Sequence, residues 1–260
     1  MRFEQKQKCI IELQAREELG QGEMTVGEWI EVCSTYGIAF KDVFSTNSKY
    51  TIETVSEEKT TRECSVYTIS NGNAFDCPAL HRKACNVACY GLKGCYRWDD
   101  AKTNKEFQRL VLAFAPVNWL FEAIKHLATN TRCKKGNQLR FVRLNEVSDL
   151  TRELLAKVIT LCKLLESDKE TAHIVVFTYT KQGGAIDFTE AGKQSNLVIN
   201  TSQTVNPVYE GGNVYIAVDK EYFDSIVESD KVKKCNCEIN CTDCGLCYED
   251  GGYIIFCLIH

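Results

Sequence analysis

Nine of the fifteen cysteines stand in two short stretches. Cys77, Cys85, Cys89 and Cys95 fall within 19 residues, and Cys235, Cys237, Cys241, Cys244 and Cys247 within 13. Thiolates crowded in this way point to metal chemistry. In the second run, two residues separate Cys241 from Cys244 and two separate Cys244 from Cys247. One tight loop of this spacing can wrap three thiolates around a cluster corner, as bacterial ferredoxin-type loops do. Structural zinc more often takes two separated CxxC pairs. The run is therefore compatible with zinc but leans toward an iron–sulfur cluster of the 4Fe–4S type, with Cys237 or Cys235 as fourth ligand.

The first region reads Cys77-Pro78, then Cys85 and Cys89 with three residues between them, then Cys95. It suits a cluster held by three protein thiolates, which leaves one iron open to a substrate or to S-adenosylmethionine. It is not the CxxxCxxC run of adenosylmethionine-cleaving enzymes, because Tyr-Gly-Leu-Lys-Gly separates Cys89 from Cys95. The plainer alternative puts Cys85 and Cys89 on one face of a short helix as packing residues. Of the four histidines, His126 and His173 read as structural and His260 joins no pattern; only His81, inside this loop, has a claim to ligation or proton transfer.

A second candidate site lies where apolar runs turn polar. Three such ends are Arg143 to Asp149, Thr178 to Gly184 and Asn200 to Gln203. In parallel α/β sheets ligands bind at the carboxyl ends of strands, where several loops converge. Arg143, Glu146, Lys181 and Asn200 are the catalytic candidates expected to line such a pocket. Strands must also leave the core somewhere, and Ser148 or Asp149 is a natural N-cap for the helix that follows. Neither a GxGxxG nor a GxxxxGK[ST] motif is present, so dinucleotide and P-loop folds lose support.

Periodicity supplies the elements that must hold these residues. Residues 2–20 read as a helix ending at Gly20-Gln21-Gly22. Thr25 with Glu28 forms a capping-box signature for a second helix that closes at Gly37. Residues 1–45 thus predict a helical appendage without a basic face, structural or partner-docking. Residues 46–260 predict the main domain. Alternation over 50–70 suggests a hairpin; helices follow at 104–114 and from Pro116. Strands are expected at 139–144, 173–179, 196–200, 213–218 and 253–257, with helices at 151–166 and 221–228. This alternation implies an α/β fold, a partial (β/α) barrel or an open parallel sheet with cysteine-rich metal-binding loops.

Composition bounds the rest. The chain is 44% hydrophobic and 25% charged, ordinary for a globular protein, and its net charge is −4. That gives no basic field for nucleic acid or anionic lipid. No apolar run approaches a membrane span, and the polar N-terminus is no signal peptide, so a cytoplasmic protein is expected. A disulfide framework is the weaker explanation of the cysteines. The scattered Cys9, Cys33, Cys64, Cys133, Cys162 and Cys257 read as small core hydrophobes.

The order of these motifs resembles the bacteriophage gene product 88-like family and, more distantly, phage proteins with radical-SAM-like partial barrels. The matching stretches are Cys77-Pro78, residues 85–90, residues 143–149, Tyr179-Thr180-Lys181, residues 196–202 and residues 241–248. They span roughly 60–250 and leave the N-terminal helices unmatched. The family usually has a Gly-Asp pair where this chain reads Val147-Ser148-Asp149, which weakens a carried-over role for Asp149. The resemblance implies a fold and metal sites more firmly than a reaction. The expected protein is a phage-type iron–sulfur protein, in its sharpest form a radical enzyme with Cys77, Cys85 and Cys89 on the reactive cluster. The rivals are a zinc-stabilised binding module and an iron–sulfur electron carrier. The expected partner is an unidentified small molecule or protein.

Overall fold

A computed structural model describes residues 1–45, 51–56, 59–64, 66–72, 77, 98–129, 141–145, 148–202, 206–235 and 245–258. The chain starts with helices α1 (Phe3–Glu18) and α2 (Val26–Tyr36). The Thr25 hydroxyl accepts from Glu28 N while the Glu28 carboxylate accepts from Thr25 N, so the predicted capping box forms. Gly37 ends α2 in the left-handed region at φ 66°. A Cβ there would meet nothing within 4 Å. Gly37→Ala should therefore cost about 1 kcal/mol through backbone strain alone, read as a lower urea midpoint. An unchanged midpoint would mean that the helix end does not need this conformation.

Residues 1–45 do not build a core of their own. Cys9, Leu13 and Trp29 join one buried cluster with Phe107, Leu120 and the sheet. Trp29 meets Trp119 edge-on at 5.4 Å between centroids.

The hairpin comprises β1 (Thr51–Ser56) and β2 (Lys59–Cys64), paired antiparallel. Its second arm is thus polar, and β3 (Val66–Ile69), which alternation had grouped with it, opens the main sheet instead. Helices α3 (Asp99–Phe114) and α4 (Val117–Thr129) lead to β4 (Phe141–Leu144), and α5 (Arg152–Ser167) leads to β5 (Val175–Thr180). Then come β6 (Leu197–Ser202), β7 (Val214–Val218), the short α6 (Lys220–Ser225), β8 (Val232–Cys235) and β9 (Ile254–Leu258). Strand β8 is absent from the sequence-based expectation, and α6 is shorter than the 221–228 helix expected.

The seven strands form an open sheet in the order β3-β4-β5-β6-β7-β9-β8, every neighbouring pair parallel. From β3 to β7 the order follows the chain without reversal. Right-handed crossovers then place successive helices on the same face. Val142, Leu144, Val176 and Ile199 face the core shared with those helices. Val66, Phe177 and Val198 point the other way and are covered by Tyr248 from the loop before β9. Burial on both faces explains the nearly continuous apolar run of β5. Among the described residues, no helix is long and apolar enough to cross a membrane.

Candidate functional site

The sheet face opposite α3, α4 and α5 carries the polar groups. Tyr179 of β5 is registered with Asn200 of β6, and Ser202 with Tyr215 of β7, so these side chains share one side of the pleat. Arg143, two residues after Phe141 on β4, lies over the Tyr179 ring with its guanidinium carbon 5.4 Å from the centroid. The Tyr179 and Tyr215 rings meet edge-on at 5.0 Å.

Both tyrosines converge on one sulfur. The Tyr179 hydroxyl donates to Cys247 Sγ at 2.8 Å, and the Tyr215 hydroxyl lies 3.0 Å from the same atom. Burial, with the Cys247 sulfur as the next cause, pushes both phenols well above their ordinary value. They stay protonated, and so remain able to donate to a thiolate. Cys235, at the end of β8, is buried with Tyr215 in a cluster that Cys247 and Cys257 flank. Cys257 is the register partner of Cys235 across β8 and β9. The first and last cysteines of the C-terminal run therefore meet on one patch of sheet.

Two asparagines hold the loop that delivers Cys247. Asn213 Oδ1 accepts from Gly251 N at 3.2 Å and Tyr253 N at 3.1 Å. Its Nδ2 donates to Glu249 O at 2.7 Å and to Asn200 Oδ1 at 3.1 Å. Asn200 in turn donates to Cys247 O at 3.1 Å and Thr178 O at 3.3 Å.

At the carboxyl ends of β4 and β5 the buried Asp149 carboxylate collects three donors. Leu150 N and the Thr180 hydroxyl each reach Oδ1 at 2.7 Å, and Lys181 N reaches Oδ2 at 2.9 Å. Burial raises its pKa, and these hydrogen bonds oppose the rise. Asp149 is not the cap of α5: the Thr151 hydroxyl accepts from Leu154 N instead. Nearby, Asn145 continues the β3–β4 ladder by donating its N–H to Ile69 O at 2.9 Å, in the left-handed conformation at φ 55°. Among the described residues, its buried carboxamide and the buried Ser70 hydroxyl have no hydrogen-bond partner.

The sequence pattern of the family described as gene product 88 matches residues 41–249, well over half the chain. The chain belongs to the gene product 88 family. No curated protein and no solved structure was found to match it. The match takes in the hairpin, β3 to β8 and the Cys247 loop, and starts earlier than the 60–250 resemblance. Helices α1 and α2 lie outside it, as does β9, although β9 is an interior strand of the sheet.

Within this gene product 88 framework, Arg143, Asn200 and Cys247 come together on the face opposite α3, α4 and α5. Lys181 is placed at the β5 end, where its backbone serves Asp149. Cys77 is half-buried. Cys85, Cys89, Cys95, Cys237, Cys241, Cys244, Glu146 and His81 lie outside the described residues. Among the described residues, no three thiol, imidazole or carboxylate groups converge as a metal-binding set. Cys9, Cys33 and Cys162 are free thiols among the described residues. Cys9 and Cys162 are buried, as core hydrophobes should be, and burial pushes the Cys9 thiol up to about 12. Cys257 instead stands beside Cys235 on the candidate site. Sequence reasoning passed over Tyr215 and Asn213, whose partners around Cys247 are 32 to 40 positions away.

Proposed function

We propose that this gene product 88 protein is an iron–sulfur protein whose C-terminal cysteine run holds a cluster against the sheet face opposite α3, α4 and α5. The reading rests on one observation: Cys235 and Cys247 share one cluster around Tyr215. The donor chemistry fits. Hydroxyls directed at a cluster thiolate stabilise its charge, one of the ways a protein tunes such a centre. Cys237, Cys241 and Cys244 lie between these two positions and complete the thiolate set.

In the enzymatic form of the proposal, Cys77, Cys85 and Cys89 hold a second cluster with an open iron for S-adenosylmethionine. Arg143, Glu146, Lys181 and Asn200 then belong to the substrate side. The Ser70 and Asn145 groups, unpartnered among the described residues, support a polar ligand at the strand ends.

Anaerobically purified protein should be brown and contain iron and acid-labile sulfide. Cys244→Ser should lose most of that iron, since one of the run's three closely spaced thiolates is gone. Colourless protein with stoichiometric zinc would replace this reading with the zinc-stabilised binding module. Unchanged iron in Cys244→Ser would remove the C-terminal assignment. S-Adenosylmethionine added to the reduced protein should perturb a paramagnetic signal that disappears in Cys85→Ala. No perturbation leaves an electron carrier.

A further inference from the structure

A cleft of about 260 Å³ opens at the N-terminus of α5, between that helix and the loop after β5. Its walls come from Leu150, Arg152 and Glu153 on one side and Gln182, Ala185 and Ile186 on the other. It lies at the carboxyl ends of β4 and β5, the edge of a parallel sheet where ligands bind. The chemistry proposed for Cys247 does not use it.

Gln182 is the decisive residue. It is 2% exposed and lines the cleft, yet its carboxamide makes no hydrogen bond among the described residues. Its backbone is fixed instead: Gln182 N donates to the Thr180 hydroxyl, and Gln182 O accepts from Ala185 N and Ile186 N. The turn thus leaves the unpaired amide of a nearly buried residue reachable only from the cleft it lines, open to a ligand there.

The opposite wall supplies positive potential. The Thr151 side chain takes only Leu154 N, which leaves the N–H groups of Arg152 and Glu153 open at the positive end of a 16-residue helix. Arg152 is exposed and forms no ion pair among the described residues. Glu153 is the one carboxylate in the lining, and the neighbouring Asp149, outside it, is occupied by its three donors. Leu150, Ala185 and Ile186 give an apolar floor.

We infer that this cleft binds a small phosphate monoester. The helix N–H groups, the Gln182 amide and the Arg152 guanidinium receive the phosphate, and the apolar floor receives the organic group. The volume admits a ligand of a single ring.

The test is a titration of the full-length protein with phenyl phosphate and with inorganic phosphate, followed by the side-chain amide signal of Gln182 in nitrogen-15 spectra. Saturable binding of phenyl phosphate, tighter than inorganic phosphate, is expected. Arg152→Ala should weaken it about tenfold, as loss of a charged hydrogen bond does. Gln182→Ala should weaken it severalfold, and Glu153→Gln should tighten it. Absence of saturable binding overturns the inference, and so does binding indifferent to both Arg152→Ala and Gln182→Ala. Benzoate binding as well as phenyl phosphate would overturn the phosphate assignment. Iron content reports the cluster proposal separately, so either can fail while the other stands.

Discussion

Replacement of Asp149 by alanine is expected to lower the stability of the fold by about 3–5 kcal/mol, among the largest effects of any single change. The carboxylate ties the chain leaving β4 to the end of β5 through Thr180 and Lys181, and it also fixes Leu150. Its removal leaves two backbone N–H groups and a hydroxyl buried without an acceptor. Asp149→Asn retains one oxygen but sets an amide against a donor, so its loss should be smaller. The pair also reads out ionisation. Burial raises the folded-state pKa of Asp149 above the ordinary value of 3.8. A raised carboxyl pKa means that the folded state binds its proton more tightly. The corresponding stability is full below the unfolded value and lost as pH rises through the folded one. Thermal unfolding of both proteins across this range should show wild type losing its lead over Asp149→Asn as pH rises, then a plateau. A lead that grows with pH would mean that the three donors outweigh burial.

Asp149 also shows where sequence reasoning stops. As a carboxylate just ahead of an apolar helical run, it satisfies every local rule for an N-cap, and so does Thr151. Thr151 wins because Asp149 is engaged by Thr180 and Lys181, a tertiary demand with no local signature. The elements that were legible are those with strong periodicity or explicit ends. Thr25 with Glu28 and Gly37 marked both ends of α2. The buried positions of α3, α4 and α5 follow helical spacing. The β-branched run of β5 announced a strand buried on both faces. From these the parallel sheet followed.

Strand β8 was hidden because Val-Lys-Lys-Cys offers neither alternation nor an apolar run; pairing with β9 makes it a strand. The polar arm Lys59–Cys64 escaped for the same reason. Chain order also concealed that β9 inserts between β7 and β8, which brings Cys257 beside Cys235. The cysteine spacing identified a chemistry, but not the tyrosines around Cys247. In the sequence Tyr179 and Tyr215 are ordinary strand residues, and only the register between strands reveals their convergence.

Asn213 carries the same lesson into the last prediction. An asparagine opening the expected strand 213–218 carries no sign of a tertiary role, yet it is fully buried and bonded to the chain on both sides of Cys247. Asn213→Ala should leave Gly251 N, Tyr253 N and Glu249 O without this partner, and cost about 3–4 kcal/mol. Because Asn213 also bonds Asn200, which bonds Cys247 O, the sulfur loses its backbone support although no thiol is removed. If Cys247 is a cluster ligand, iron affinity should fall about tenfold or more, the usual effect of losing a supporting contact around a metal ligand. The two asparagines act through a shared hydrogen bond. The double variant with Asn200→Ala should therefore lose less stability than the two single losses added, by about 1 kcal/mol. Gly37→Ala, which weakens the fold away from this loop, provides the control and should keep its iron. Asn213→Ala that unfolds more easily but binds iron as wild type does would separate the loop from the metal. An additive double variant would break the link between the asparagines. Loss of iron in Asn213→Ala with retention in Gly37→Ala would tie the metal to the position of Cys247, since general instability would release it from both.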